Sequence, residues 1–161
     1  MNSEFRLHHV GILVADISRA AGQLRTRFGY LVESEVIEDA WQTAFVQFLR
    51  LPGADHWTEL VAPNGSNSVL SGALRRGKGG THHLCYEVED IEASFKRLGE
   101  MEMMGIAAPV PATAFNGRRI TWLVDRERLL VELVEAGLGR LALPPAGVYQ
   151  APVESGMIKA Q

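Results

Sequence analysis

Apolar and polar positions alternate over several short segments of this chain, and other segments show helical spacing of their apolar residues. Alternation over residues 7–14 predicts a strand, and apolar side chains recurring every three to four positions over 17–28 predict a helix. Asp16 precedes this helix as an N-cap, and Gly29 ends it. The chain therefore opens with a predicted strand followed directly by an amphipathic helix.

The same order of elements is predicted in both halves of the chain. The helix of the first half is followed by three predicted strands, at residues 31–37, 44–51 and 57–62. A short helix at 69–76 leads to the second half, which has a strand at 82–88 and a helix after Asp90. It continues with a proline-interrupted extended stretch at 105–110 and strands at 119–124 and 129–134. The pattern predicts an α+β protein of two tandem βαβββ modules.

Part of the sequence occurs twice. His8-His9-Val10-Gly11-Ile12 near the N-terminus is echoed by His82-His83-Leu84-Cys85-Tyr86, and the second histidine recurs after 74 residues, from position 9 to position 83. A glutamate recurs after 73 residues, from Glu59 to Glu132, within similar apolar segments. Internal repeats indicate repeated structural units, so the two modules are expected to present these residues at matching places.

Strand parity selects one histidine of each pair. Alternate side chains of a strand face opposite ways, so His9 shares a face with Gly11 and Leu13. The opposite face carries the apolar residues expected to pack under a helix. We therefore predict that His9 and His83 project into a site, whereas His8 and His82 are partly buried structural histidines.

The repeated histidines and glutamates point to a metal site. A carboxylate inside an apolar strand, as Glu59 and Glu132 are, is costly unless it is paired, protonated or bound to metal. One such glutamate alone would be read as an outward-facing residue, but four residues recurring in register favour a site. Two imidazoles and two carboxylates suit Zn²⁺, Ni²⁺, Co²⁺, Mn²⁺ or Fe²⁺. Such an ion acts as a Lewis acid on a carbonyl, and a carboxylate ligand can serve as general base.

Composition limits the remaining possibilities. The chain has 161 residues, of which 47% are apolar, and this is enough for one domain with a sizeable core. The net charge of −3 predicts no general attraction to nucleic acid. The single cysteine, Cys85, excludes an intramolecular disulfide. No segment has the ~20 apolar residues of a membrane span, and no signal-peptide core is evident, so a soluble cytoplasmic protein is expected.

The predicted domain ends before the C-terminus. We expect one domain over residues 1–136, with modules at about 7–63 and 81–136. Residues 137–161 are rich in glycine, proline and alanine and are predicted to form an irregular tail.

These motifs resemble the vicinal oxygen chelate superfamily, which includes glyoxalase I. In that superfamily paired βαβββ modules form a cup-shaped mixed sheet around a metal, and the first and last strands of each module supply the ligands. The resemblance covers roughly residues 7–136. It implies a metal site whose ligands are His9, Glu59, His83 and Glu132.

Within the superfamily the chain is most similar to the methylmalonyl-CoA epimerases. The resemblance lies in the opening strand motif at His9, in Gly-Gly-Thr-His-His-Leu-Cys-Tyr-Glu-Val at 79–88, in Glu-Leu-Val-Ala-Pro at 59–63 and in Leu-Val-Glu-Leu at 130–133. It implies an isomerase that removes the proton α to a thioester carbonyl of an acyl-CoA, a divalent metal cofactor and a homodimer.

The same resemblance implies two catalytic positions, one in each module. Glu132 is the expected base of one face of the substrate, and Gln47 falls near the position of the second acid/base. Glutamine cannot accept a proton at neutral pH. Glu38 or Asp39, on the adjoining loop, are the alternatives for that role.

Other members of the superfamily define the competing hypotheses. A glyoxalase I-type lyase would act on a glutathione hemithioacetal, and an isomerase or lyase of a biosynthetic pathway would act on another substrate. A non-catalytic antibiotic-binding protein would generally lack the ligands. Extradiol dioxygenases and fosfomycin-modifying enzymes use three protein ligands, so Glu59 as a fourth argues against both.

Overall fold

The computed structural model describes residues 4–77 and 79–137 and has the predicted α+β composition. The first half contains β1 (Arg6–Leu13), α1 (Ile17–Phe28), β2 (Leu31–Val32), β3 (Ile37–Asp39), β4 (Ala44–Arg50) and β5 (Trp57–Pro63). Helix α2 (Val69–Arg75) connects the halves. The second half contains β6 (Gly80–Val88), α3 (Ile91–Glu100), β7 (Met104–Pro111), a 3-10 turn (Thr113–Phe115), β8 (Arg119–Val124) and β9 (Leu130–Glu135).

The helices begin and end where local chemistry requires. A side-chain oxygen of Asp16 accepts a hydrogen bond from the Arg19 N–H at 2.9 Å, and Asp90 does the same for the Ala93 N–H at 3.0 Å. Each aspartate thus satisfies one of the free N–H groups of a first turn. Gly29 ends α1 with a φ of 74°, a left-handed conformation that glycine adopts without steric cost.

The strands form one nine-stranded mixed sheet in the order β2-β4-β5-β1-β6-β9-β8-β7, with β3 paired to β4. In both halves the first strand pairs in parallel with the last, β1 with β5 and β6 with β9. The halves meet where β1 pairs antiparallel with β6. The first strands of the two modules therefore lie side by side at the centre of the sheet.

The two faces of the sheet have different partners. Helix α1 packs on the outer face against Leu49 and Leu60, and α3 packs on it against Leu123 and Leu133. The inner face carries a third apolar cluster with residues from both modules. The Thr113–Phe115 turn of the second module packs against β3 of the first, so the sheet curls around its inner face. The predicted fold of two βαβββ modules in a curved mixed sheet is confirmed.

One predicted strand is wrong. Residues 31–37 form two short strands instead of one. Between them the Ser34 hydroxyl oxygen accepts a hydrogen bond from the Phe48 N–H, with 3.0 Å between the two atoms, and so replaces a backbone acceptor. The second short strand, β3, extends to Asp39, which the sequence assigned to a loop. This shift places Asp39 within the sheet and leaves Glu38 on the opposite side of it.

The boundaries of the predicted domain stay predictions. Residues 138–161 of the predicted tail lie outside the described residues. In the part of the chain that the structure describes, the helices are too short or too polar to cross a membrane.

Candidate metal centre

Four predicted ligands converge on the inner face of the sheet. His9, Glu59, His83 and Glu132 are each at least 96% buried. The Nε2 atoms of His9 and His83 are 2.9 Å apart. Oε2 of Glu59 lies 3.4 Å from His9 Nε2 and 3.2 Å from His83 Nε2. Oε2 of Glu132 lies 3.1 Å and 3.6 Å from the same two nitrogens.

Strand register explains this convergence. Gly11 is paired with Glu59 on one side and with His83 on the other, so these three positions form a row across the sheet. In the neighbouring row His9 pairs with Cys85, and Cys85 pairs with Glu132. Residues directly opposite one another in a sheet project from the same face. Each module thus contributes one imidazole and one carboxylate to a common point.

Gly11 provides the space that the His83 ring occupies. A Cβ atom at Gly11 would lie 2.0 Å from His83 Cε1. A glycine inside a strand marks a place where another group approaches the backbone closely, and this signal was available in the repeated motif. Sequence reasoning placed Gly11 on the face of His9 but assigned it no role.

Charge in this cluster is shared between the imidazoles and the carboxylates. Burial by itself lowers the pKa of His9, but the charge of Glu59 and hydrogen bonds with Glu132 and Glu59 outweigh it and raise that pKa to about 9. Burial favours the neutral form of Glu59, yet His9 and His83 hold its pKa well below the usual range. The carboxylates thus stabilise positive charge at this point.

His8 is placed differently from the parity prediction. The register of β1 against β6 shifts between Leu7 and His9, so His8 is the extra residue of a β-bulge. Its ring contacts Trp57 and Phe115, which belong to the inner cluster, with centroids 4.9 and 5.4 Å away. A strand with a bulge does not keep strict alternation, and this is why the prediction of an outer-face His8 is wrong.

The first histidine of each pair contacts the second. His8 Nδ1 lies 2.8 Å from His9 Nδ1, and His82 Nδ1 lies 2.9 Å from His83 Nδ1. The second register shift of the β1–β6 pair falls at His82, so the two modules repeat the same local geometry. Burial, followed by the neighbouring histidine, lowers the pKa of His8 to about 2 and that of His82 to about 4. A neutral imidazole at these positions can fix the orientation of the ring beside it.

Gln47 is not brought together with the other predicted site residues. Phe48 pairs with Glu59, and the centroids of the Phe48 and His9 rings are 5.6 Å apart. Phe48 therefore faces inward, and its neighbour Gln47 faces outward. Gln47 Nε2 donates to the Ser34 carbonyl at 3.1 Å. The structure thus places Gln47 on the outer face of β4, away from the four proposed ligands, and this placement does not fit its predicted catalytic role.

Aromatic side chains surround the four polar residues. The rings of Phe115 and His9 are stacked, with centroids 5.9 Å apart. The rings of Trp122 and His83 meet edge to face, with centroids 4.9 Å apart. Within the described residues, the buried indole N–H groups of Trp57 and Trp122 have no acceptor. Unsatisfied buried donors are rare in proteins, so these two are available to oxygen atoms of a ligand.

The arrangement fits a divalent metal ion. His9, His83 and Glu132 offer ligand atoms within 4.8 Å of one another, and Glu59 Oε2 reaches the same two nitrogens. Glu132 Oε2 is buried and has His9 Nε2 as a neighbour at 3.1 Å. Nitrogen and oxygen donors directed at one point from four strands form the ligand set that transition metals bind. The inner face therefore contains a histidine–glutamate group that could hold a metal ion.

Known proteins are similar to this chain in sequence and in fold. Residues 8–122 match the family model described as the Glyoxalase/Bleomycin resistance protein/Dioxygenase superfamily, and the chain belongs to this superfamily. An ethylmalonyl-CoA/methylmalonyl-CoA epimerase of Cereibacter sphaeroides is 36% identical over 131 residues, 80% of this chain and 96% of that protein. The human mitochondrial methylmalonyl-CoA epimerase is 32% identical over 134 residues, 81% of this chain and 74% of that protein.

A solved structure agrees with these relatives. The crystal structure of methylmalonyl-CoA epimerase from Mycobacterium tuberculosis has a TM-score of 0.72 and 26% identity, over 85% of this chain and 92% of that one. The relatives are enzymes of the isomerase class. The predicted superfamily and the predicted likeness to methylmalonyl-CoA epimerases are confirmed.

Proposed function

We propose that this chain is a metal-dependent epimerase that inverts the carbon α to the thioester of a malonyl-type acyl-CoA. The observation that carries the proposal is the convergence of His9, Glu59, His83 and Glu132 at one buried point, in a chain 36% identical to an ethylmalonyl-CoA/methylmalonyl-CoA epimerase. The substrate is a small acyl-CoA such as methylmalonyl-CoA.

The four converging residues would hold the metal through both histidine Nε2 atoms and one oxygen of each carboxylate. Co²⁺, Ni²⁺, Zn²⁺, Mn²⁺ and Fe²⁺ all accept this donor set. When bound, the ion supplies Lewis-acid stabilisation of the negative charge that develops on a carbonyl oxygen. His8 and His82 would orient the liganding rings through their Nδ1 contacts.

Glu132 is the proposed base for one face of the substrate. Its Oε2 atom is buried on the inner face, 3.1 Å from His9 Nε2, and a carboxylate in this position can act as a general base. The Cα–H bond of the substrate breaks, its proton moves to Glu132, and its electron pair moves onto the thioester as an enolate. The buried indole N–H groups of Trp57 and Trp122 can donate to substrate oxygens on the same inner face.

The test is proton exchange at the substrate α-carbon. We would follow the α-proton of methylmalonyl-CoA by proton NMR in D₂O, using protein stripped of metal and then reloaded with Co²⁺ or Ni²⁺. We expect loss of the α-proton signal only with metal, and a decrease of at least ~100-fold in Glu132→Gln. Glu135→Gln is the matched control, because Glu135 lies on the same strand but does not face the site. Its Oε1 atom forms an ion pair with Arg119 Nη2 at 2.7 Å.

Two results would contradict the proposal. Metal binding without α-proton exchange would exclude this substrate, and a glutathione hemithioacetal would then be assayed as the substrate of a glyoxalase-type lyase. Protein that holds no divalent metal would favour the non-catalytic binding proteins of the superfamily.

A further inference from the structure

We propose that Asp39 is the second acid/base of this site and serves the substrate face that Glu132 does not reach. The inference rests on the proposed epimerase function. Inversion of a carbon needs one group to remove a proton from one face and another to deliver a proton to the opposite face. Glu132 belongs to the second module, and Asp39 is a buried carboxylate of the first module.

Register places Asp39 on the inner face of the sheet. Asp39 pairs with Ala44 across β3 and β4, and Phe48 of the same β4 strand pairs with Glu59. Ala44 and Phe48 are four residues apart, so they project from the same face. Asp39 therefore lies on the face that carries the four proposed ligands, and its residue surface is only 2% exposed.

The surroundings of Asp39 are electrostatically unfavourable for a carboxylate. Burial raises its pKa, and the charges of Glu132 and Glu59 raise it further, although hydrogen bonds from the Gln42 and Trp41 backbone oppose the change. The charge of Glu87, another inner-face carboxylate, is in contrast compensated by Arg6 and Arg118. Its Oε2 atom lies 3.3 Å from Arg118 Nη1. The negative charges of both proposed carboxylate ligands act on Asp39, which therefore lies within electrostatic reach of the reaction centre.

A turn-capping role alone does not account for this position. One Asp39 oxygen accepts the Gln42 N–H at 3.0 Å, as aspartates at the start of turns commonly do. Exposed aspartates perform that role equally well, and burial beside like charges adds a cost that capping does not require. The neighbouring Glu38 faces outward and accepts a hydrogen bond from Asn64 at 2.7 Å. Of the two carboxylates at the end of β3, Asp39 is the one inside the cup.

The proton balance of the reaction is complete with these two groups. Glu132 removes the Cα proton, and the electron pair of that bond moves to the thioester oxygen. Protonated Asp39 then donates its O–H proton to the opposite face of Cα, while the enolate electron pair returns to form the new C–H bond. Glu132 ends protonated and Asp39 ionised, and exchange with water restores both groups. In the reverse direction the two exchange roles.

The Asp39→Asn variant tests the proposed proton transfer while it keeps the side-chain oxygen that caps the turn. Asparagine has the same shape and can accept the Gln42 N–H, but it cannot carry the proton. Glu38→Gln is the matched control, because it makes the same chemical change at the adjacent outward-facing residue. Each purified epimer of methylmalonyl-CoA would be incubated in D₂O with metal-loaded protein, and exchange and inversion would be measured separately by NMR and chiral analysis.

We expect Asp39→Asn to lose inversion by at least ~100-fold while it still exchanges the α-proton of one epimer with retention. Metal content and melting temperature should equal those of the wild type, and Glu38→Gln should invert normally. Inversion within about threefold of the wild-type rate, or loss of exchange in both epimers, would overturn the role of Asp39. If wild-type protein exchanges neither epimer, the proposed function itself fails, and this result is distinct from either outcome for the variant.

Discussion

A few side chains give the inner face its chemistry, and each depends on a neighbour that tolerates it. Glu59 and Glu132 are buried carboxylates in apolar strands, and the two imidazoles between them compensate their charge. His83 can occupy its place only because Gly11 has no side chain. At this scale, the smallest residue in the repeated motif is as necessary to the site as the proposed ligands.

Gly11→Ala should weaken metal binding without disrupting the fold. Its Cβ would lie 2.0 Å from His83 Cε1, so the imidazole must move away from the other ligands. Loss of ligand orientation typically reduces metal affinity by about 10–100-fold. Isothermal titration calorimetry with Co²⁺ or Zn²⁺ measures this directly.

Gly22→Ala is the control for this experiment. A Cβ at Gly22, within α1, meets nothing within 4 Å. This variant should bind metal normally and gain about 0.5–1 kcal/mol in unfolding free energy from helix propensity. Unchanged metal affinity in Gly11→Ala would show that His83 is not a ligand.

At the scale of elements, the first strand of each module carries the site and the first helix supports it from behind. Bulges at His8 and His82 bring a second imidazole against each of the two proposed histidine ligands. Strand β1 is followed by a helix capped by Asp16, and β6 by a helix capped by Asp90. The duplication thus extends from sequence motif to bulge and helix cap.

Removal of either cap should destabilise the protein by a similar amount. Asp16→Ala and Asp90→Ala should each lower the free energy of unfolding by about 1 kcal/mol, because an N–H of the first turn loses its acceptor. The two caps share no partner, so the double variant should lose the sum. Urea denaturation gives these values.

The corresponding asparagine variants provide the comparison for the caps. Asp16→Asn and Asp90→Asn retain a capping oxygen and should stay within about 0.5 kcal/mol of wild type. A double variant that departs from additivity by much more than ~0.5 kcal/mol would mean that the two modules unfold through coupled helix ends.

At the scale of the whole molecule, the proposed metal site joins the two modules. His9 and Glu59 come from the first module, and His83 and Glu132 come from the second. The modules also share the β1–β6 pairing and an inner apolar cluster. The predictions of a homodimer and of no nucleic-acid partner stay predictions at this scale.

Metal should stabilise the folded chain as a whole. A ligand at 100 times its dissociation constant adds about 2.7 kcal/mol of stability, which corresponds to a rise in melting temperature of about 5–10 °C for a chain of this size. We expect this rise in wild-type protein stripped of metal and titrated with Ni²⁺ or Co²⁺, monitored by differential scanning fluorimetry.

His83→Ala should abolish the rise, and His56→Ala should preserve it. His56 lies in the turn between β4 and β5 and pairs with Asp55 at 3.3 Å instead of facing the site. An equal rise in both variants would place the bound ion elsewhere in the protein.

The sequence alone determined the α+β class, the two modules and the four proposed ligands, because the hydrophobic period is a local property of the chain and a repeat is read by comparison of its two copies. Only the tertiary structure decided which neighbours share the inner face. A β-bulge places His8 on the inner face, and the hydrogen bond to the Ser34 hydroxyl interrupts a predicted strand. The register of β4 with its neighbours places Gln47 on the outer face and Asp39 on the inner face. A one-residue shift exchanges the two faces of a strand, and such a shift depends on pairing with distant segments that local patterns do not record.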